Sequence, residues 1–282
     1  MLVKIVVDSA LNIPEALLHE LGITVIPVCV AIDNRTYREG MDVSRSELVQ
    51  LIASAKKTST SQPAPGEFLA VYDQLQGDII SIHVTAKASG TCQTAQIAAD
   101  MSKLATVRVL DSASASFGGG WLAIAAALAS KRGLSLGEIE ALVEEAKGES
   151  AMFLSVPTLK YLEKSGRVNF AKAVIASLLS VKPVMHFNEG IVEVISRARS
   201  MQGAVKEMVN LLVERYGHEP LAVAVMHAED VELGLQLQEA LRQTLNVGYE
   251  VLTDLAASLV VHGGPGSIAV AVLPLRFLKG LA

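Results

Sequence analysis

Four groups of hydroxyl and acidic side chains stand out as residues able to do chemistry. They are Asp8-Ser9, Thr58-Ser59-Thr60-Ser61, Thr85 through Ser89-Gly90-Thr91, and Asp111-Ser112 with Ser114 and Ser116. All lie at or just beyond segments that read as strand ends. Hydroxyls and backbone N–H groups gathered there, where helices begin, suit an anion. In a parallel α/β sheet, ligands occupy the crevice beyond the carboxyl ends of the strands. The same residue types are also good helix N-caps. Taken one at a time, each is read first as a cap.

Other chemistries find less support. A nucleophilic serine needs an activating base. Of the six histidines only His83, His227 and His262 fall near strand ends, and Lys87-Ala88-Ser89-Gly90 is not a Gly-x-Ser-x-Gly elbow. No His, Cys, Asp or Glu cluster has metal-ligand spacing, so no metal is expected. Phe117-Gly118-Gly119-Gly120 and Gly263-Gly264-Pro265-Gly266 are glycine-rich. Neither has the Lys-Ser/Thr of a phosphate loop or the full dinucleotide fingerprint.

The elements that must position these residues alternate in the first half. Val3–Val7 reads as a strand, followed by a helix that Pro14 opens and Gly22 closes. Thr24–Ile32 is a strand broken at Pro27, and Asp33-Asn34 is a turn into a further extended piece. Ser44 with Glu47 is a capping box opening a helix. Lys56 to Gly66 reads as a loop. A helix over Glu67–Gln76, a strand over Asp78–Val84, a helix from Cys92 to Met101 and a strand over Thr106–Leu110 follow. A loop then leads to the helix Trp121–Ser130. This rhythm predicts a mostly parallel sheet with helices on both faces.

From about Ser150 the pattern changes. A strand at Phe153–Val156, a helical turn at Leu159–Glu163 and an apolar helix at Ile175–Leu179 precede two strands, Val184–Phe187 and Ile191–Arg197. Asn188-Glu189-Gly190 between these two is a hairpin signal. A helix to about Tyr216, the strand Leu221–His227, a helix near Glu232–Leu245 and strands Tyr249–Leu252 and Ile268–Leu273 complete the chain. The expectation is a two-domain α/β protein: residues 1–155 as the first domain, and residues 156–282 as a second with a mixed sheet.

Composition bounds the function. In 282 residues, 51% are hydrophobic but only 4% aromatic, so the apolar excess is aliphatic. That is the material of a buried parallel sheet. Twenty-four basic against 29 acidic residues, net charge -5, argue against a nucleic-acid partner. Two cysteines, Cys29 and Cys92, read as core thiols of a reducing compartment. No basic leader precedes the first strand, and the apolar stretch Trp121–Ala129 is too short to span a bilayer. A cytoplasmic protein without a transmembrane segment is expected.

Taken in order, the motifs Val7-Asp8-Ser9, Thr60-Ser61-Gln62-Pro63, Ser89-Gly90-Thr91-Cys92-Gln93, Asp111-Ser112 with Gly118, Lys164-Ser165-Gly166-Arg167, Lys182-Pro183 and His262-Gly263-Gly264-Pro265-Gly266 resemble the DegV family, whose fatty-acid-binding members serve bacterial fatty acid kinase. The likeness runs from near residue 4 to near residue 274. It implies two α/β domains with one long acyl chain, palmitate- or oleate-like, in a tunnel between them. It also implies that Thr60, Ser61, Ser89 and Gly90 hold the carboxylate, with His262 close to the head group. Arg167, with Arg197 or Arg199 as a second basic position, maps onto the family's basic sites, and Arg167 and Arg199 are candidates for contacting an acyl-phosphate or docking the kinase. The chain departs from the family pattern in having Cys92 where an aromatic is common, Ser165 where Gly is common, and less serine before Ser89.

Two hydroxyls with amide N–H groups can hold a buried carboxylate reversibly without a buried countercharge. An acyl chain of about fourteen methylenes would add roughly 11 kcal/mol of gross burial energy. The resemblance therefore implies a non-catalytic carrier without a cofactor, presenting its ligand to a kinase subunit and compatible with transient membrane contact. A serine-dependent acyl hydrolase or a phosphotransfer enzyme on a related fold is the alternative, and a plain interaction module is the third. On this reading Ser9 and Ser112 are caps.

Overall fold

The first aliphatic run forms β1 (Lys4–Asp8) and is followed by α1 (Glu15–Leu21), which stops where Gly22 takes the left-handed conformation. The computed structural model describes residues 2–167 and 181–281. The helix expected at Ile175–Leu179 lies outside the described residues. Pro27 divides the next apolar run into β2 (Ile23–Ile26) and β3 (Cys29–Ile32). Then come β4 (Arg35–Arg38) and α2 (Arg45–Ser54), opened by the Ser44–Glu47 capping box.

Thr58–Ser61 is a strand, β5, within the stretch expected to be a loop. It has no hydrophobic alternation to betray it. What makes it a strand is pairing: its backbone joins β3 antiparallel, with Val30 opposite Thr60. Hydroxyl residues with a β-branch tolerate such an edge position.

The sequence continues through α3 (Pro65–Leu75), β6 (Gly77–His83), α4 (Thr91–Met101) and β7 (Ala105–Asp111). Next is α5 (Ser116–Lys131), which begins five residues before the expected helix and takes in Gly118, Gly119 and Gly120. Packing overrides the poor helix propensity of glycine here. A Cβ on Gly120 would lie 2.9 Å from the Leu11 carbonyl oxygen, so only glycine lets the helix approach the turn after β1. The following helix, α6 (Leu136–Glu149), was not anticipated, although Ser135 and Glu138 form its capping box.

The remaining described elements are β8 (Ala151–Ser155), α7 (Lys160–Lys164), β9 (Lys182–Asn188), β10 (Ile191–Ala198), α8 (Met201–Tyr216), β11 (Leu221–His227), α9 (Val231–Thr244), β12 (Val247–Asp254), α10 (Ala257–Gly263) and β13 (Ile268–Pro274). Three sheets result. A parallel sheet has the order β2-β1-β6-β7, a small antiparallel sheet the order β4-β3-β5, and a mixed sheet the order β10-β9-β8-β13-β11-β12. In the mixed sheet β11 and β12 are parallel and the other pairs antiparallel. The protein is thus a two-domain α/β fold with a parallel sheet and a separate mixed sheet.

Helix α5 joins the two. Every residue from Ser116 to Ser130 is buried, as expected of a helix apolar all round. It packs on β1 and β6 of the parallel sheet and on β13 of the mixed one. The Trp121 indole donates to the Ala271 carbonyl at 3.1 Å, fixing that contact. One hydrophobic core accordingly runs from β1 through α5 to β13.

Candidate functional site

A cavity of about 150 Å³ opens where the loops after β1 and β6 meet β5, α10 and one face of the mixed sheet. A single water needs only roughly 10–15 Å³, so this is space for a ligand. Its wall is mostly aliphatic and aromatic, with Val84, Met152, Leu154, Phe187 and Leu259 among its residues. Into this apolar surface project the polar groups of Thr60, Thr85, Ser89, Ser258, His262 and Arg167.

Strand alternation decides which hydroxyl of the Thr60-Ser61 pair faces the cavity. Thr60 is half-buried in its wall, whereas Ser61 is exposed. Ser61 instead neighbours the Cys29 thiol, whose pKa is raised chiefly by burial. Thr60 Oγ1 lies 2.9 Å from His262 Nε2. His262 belongs to the last turn of α10 and not to a glycine-rich turn, because the residues from Ala257 onward continue as helix until Gly264 adopts a positive φ.

Burial pushes the His262 imidazole down to about 4, with the Arg167 cation adding to the effect. The ring is therefore neutral at pH 7 and carries one N–H. Its Nδ1 is buried and has no hydrogen-bond partner among the described residues. If the proton sits on Nε2, the ring donates to Thr60 and frees the threonine proton for an anion. If it sits on Nδ1, Thr60 donates to the ring and Nδ1–H is itself an unused donor. Either tautomer leaves one hydrogen-bond donor of the pair free.

Ser89 lies on the turn between β6 and α4, its hydroxyl 2.8 Å from Thr91 Oγ1. Gly90 is not in the wall but stands behind it. A Cβ there would lie 3.1 Å from Gln62 Nε2, and this close approach sets the Thr60 strand beside the Ser89 turn. Arg167 reaches the cavity wall and donates to the Ser165 carbonyl at 2.9 Å. Arg199 follows β10 and is exposed, as is Arg197; neither lines the cavity.

Three polar wall residues were missing from the expected site: Thr85, Ser258 and Ser267, the last buried with its hydroxyl donating to the Gly264 carbonyl at 2.8 Å. Thr85 belongs to the strand-end series and was detectable in principle; it is fully buried and donates to the Gly190 carbonyl at the β9–β10 hairpin tip, 3.0 Å away. Ser258 sits in α10, which gave no sequence signal. The expected caps also differ. Ser9 donates to Glu39 Oε2 at 2.6 Å, and Ser112 donates to the Ser114 carbonyl, while α5 has no side-chain cap. For Ser9 a partner 30 positions away took the hydroxyl, whereas Ser112 closes a local turn in which its Oγ also accepts from the Ser114 N–H at 3.2 Å.

A second polar chain lies deeper. Asp8 Oδ2 is 3.1 Å from His83 Nδ1, His83 Nε2 is 2.7 Å from Ser81 Oγ, and Ser81 Oγ is 2.8 Å from the Tyr72 hydroxyl. The Asp–His–Ser order matches that of a hydrolytic triad. All four side chains are buried, however, and neither Ser81 nor His83 lines the cavity. Among the described residues no cluster of His, Cys, Asp and Glu is placed to hold a metal ion, and no helix is long and apolar enough to cross a membrane.

Comparison with known proteins identifies relatives of the chain and of its fold. Residues 2–275 match the family described as uncharacterised proteins of the DegV family. A DegV domain-containing protein of Staphylococcus aureus is 31% identical over 273 residues, 95% of this chain and 98% of the relative. The fatty-acid-binding DegV family protein of Thermus thermophilus superposes with a TM-score of 0.90 at 30% identity, covering 98% of this chain and all of that one. DegV of Bacillus subtilis, a fatty-acid-binding protein, gives 0.89 at 28% identity over 97% of this chain and 99% of its own.

Proposed function

The chain belongs to the DegV family, and from that premise we propose that it binds one long-chain fatty acid, palmitate- or oleate-like, and carries it without chemical change. The observation that carries this reading is the Thr60–His262 pair in the wall of an otherwise apolar cavity. A carboxylate entering there meets hydroxyls and a neutral imidazole in place of water, and the Arg167 guanidinium supplies positive charge nearby. Thr60 and Ser89 hold the carboxylate by donation, His262 supports Thr60, and Gly90 keeps the two loops together. Ser61 acts from the far side of β5, through the strand and not by contact. The acyl chain runs along the aliphatic wall, where burial is worth roughly 0.8 kcal/mol per methylene.

The finer part of the reading is that the head group is presented to a fatty acid kinase subunit for conversion to an acyl-phosphate, in the cytoplasm. Arg167 beside the cavity and exposed Arg199 are the groups suited to phosphate or to the kinase surface, since guanidinium forks match phosphate. The fold divides near residue 155 on this view, the C-terminal part covering the acyl chain.

The Asp8–His83–Ser81 chain favours a second reading, an acyl hydrolase. Its burial weighs against it: Ser81 already shares its hydroxyl with Tyr72, and a substrate carbonyl has no route to it from the cavity. Mass spectrometry of freshly purified, denatured protein separates the readings. Stoichiometric co-purified fatty acid, or uptake of one by native mass spectrometry, supports the carrier. Absence of both sinks it, and release of acid from acyl esters that is abolished by Ser81→Ala would install the hydrolase.

A further inference from the structure

Helix α10 carries three residues of the cavity wall, Ser258, Leu259 and His262, yet it is only seven residues long and begins after Ala256. Alanine has no side chain to satisfy the first orphan N–H groups of the helix. That role is filled from 219 positions away. Glu39 Oε1 accepts from the Ser258 backbone N–H at 2.8 Å, and Oε2 accepts from the Ser258 hydroxyl at 2.8 Å.

The same Oε2 accepts from the Ser9 hydroxyl at 2.6 Å, and Ser9 Oγ in turn accepts from Val28 N–H at 3.0 Å. Glu39 donates its own backbone N–H to the Val28 carbonyl. One buried carboxylate thus ties the turn after β1 and the start of β3 to the first turn of α10. It makes no ion pair among the described residues. Desolvation raises its pKa, and three donated hydrogen bonds oppose that cost.

Neighbouring contacts act on the same segment. Arg45 donates to the Leu255 carbonyl at 2.8 Å and pairs with Glu229 at 2.9 Å, while the Asn12 amide donates to the Asp254 carbonyl at 2.9 Å. Residues 254–258 are therefore fixed from three points of the N-terminal half. His262 lies four positions after Ser258, on the same face of the helix one turn on. Fixing Ser258 fixes the distance from His262 to Thr60.

We propose that Glu39 is a positioning residue for the cavity: its carboxylate caps α10 from outside and holds His262 against Thr60. The consequence for affinity rests on the fatty-acid reading above; the consequence for His262 does not. The test is an NMR titration of the His262 imidazole in ligand-free wild type, Glu39→Ala, Glu39→Asp and Glu39→Gln, alongside palmitate affinity of each in the presence and absence of His262→Ala.

In wild type the buried His262 ring is expected to titrate well below the ordinary histidine range, at about 4. In Glu39→Ala it is expected to move toward the ordinary histidine range, with palmitate affinity about tenfold weaker, the value of one charge-assisted hydrogen bond. Glu39→Gln still accepts from Ser258 N–H and is expected to restore most of both. With His262→Ala present, the loss from Glu39→Ala should shrink to less than about twofold, because the two act through one contact. A Glu39→Ala protein whose His262 titration is unchanged overturns the proposal, as do equal affinity losses in both backgrounds. Should the alanine variant fail to fold, Glu39→Asp, one methylene short of Ser258, decides by the same His262 shift. Failure of wild type to bind palmitate would refute the fatty-acid reading, and the His262 titration would then decide the role of Glu39 by itself.

Discussion

Thr60 Oγ1 and His262 Nε2 lie 2.9 Å apart although 202 positions separate the two residues. One comes from a polar edge strand, the other from the last turn of a short helix. Neither element announces itself in the sequence, and each is held by partners remote in the chain: β5 by its pairing with β3, α10 by Glu39. The site is built where two weakly encoded pieces are locked by tertiary contacts.

Because β5 alternates, the two adjacent hydroxyl residues should differ sharply in function. Thr60→Val removes a donor from the cavity while keeping the shape of the side chain. Fatty-acid affinity is expected to fall about tenfold or more, the value of a hydrogen bond to a charged group. Ser61→Ala, on the exposed face, should stay within about twofold. Isothermal titration with palmitate measures both, and equal losses would mean that the strand does not set the orientation.

Much of the fold was legible because it depends on local chemistry. Gly22 ends α1, Ser44 with Glu47 opens α2, and Asn188-Glu189-Gly190 turns the β9–β10 hairpin. The alternation of aliphatic runs with helices gave the parallel sheet. What escaped was non-local. β5 exists through its partner, the Gly118-Gly119-Gly120 turn of α5 is helical because the turn after β1 packs on it, and α10 is capped by a residue from another segment. Of the candidate site, the ordered motifs picked out Thr60, Ser89, His262 and Arg167, all in the cavity wall. They did not reveal that Ser61 and Arg199 lie outside it, since face and depth are set by packing. The missed α6 is the exception: its capping box at Ser135 and Glu138 was there to be read.

Gly120 offers a test of the central helix. An added Cβ meets the Leu11 carbonyl at 2.9 Å, a backbone atom that cannot swing aside, and the Ile13 side chain at 3.1 Å. Helix propensity alone would make Gly120→Ala stabilising by up to about 1 kcal/mol. Overpacking should win, giving a net loss of about 1–3 kcal/mol in urea denaturation. A more stable variant would mean that α5 can shift away from the turn without penalty. Ala10 in that turn also lines the cavity, so a weakened fatty-acid affinity should accompany the loss.

The two arginines assigned to phosphate or kinase contact should separate binding from transfer. Arg199 is exposed and outside the cavity, and Arg167 touches its wall. Arg199→Ala is expected to leave palmitate affinity unchanged, and the double change with Arg167→Ala to weaken it by no more than a few fold. Formation of acyl-phosphate by an added fatty acid kinase should be lost in the double variant. Transfer at the wild-type rate would remove both residues from that role.

The low proton affinity of His262 makes stability depend on pH in a defined window. Unfolded, the imidazole has its ordinary value near 6.5; folded, burial and Arg167 bring it to about 4. Above pH 6.5 neither state binds the proton, and below pH 4 both do. Between these values the unfolded chain binds a proton that the folded chain refuses, so this contribution is complete above 6.5 and is lost as pH falls toward 4. Its full size is roughly 3 kcal/mol. Urea midpoints at pH 7.5 and pH 4.5 should therefore differ more for wild type than for His262→Asn, since the carboxylates titrate alike in both. Binding of a fatty-acid carboxylate beside the ring favours the imidazolium, so the loaded wild type should lose part of that sensitivity. Parallel pH profiles for the two unliganded proteins would show that His262 is not held as a buried neutral ring.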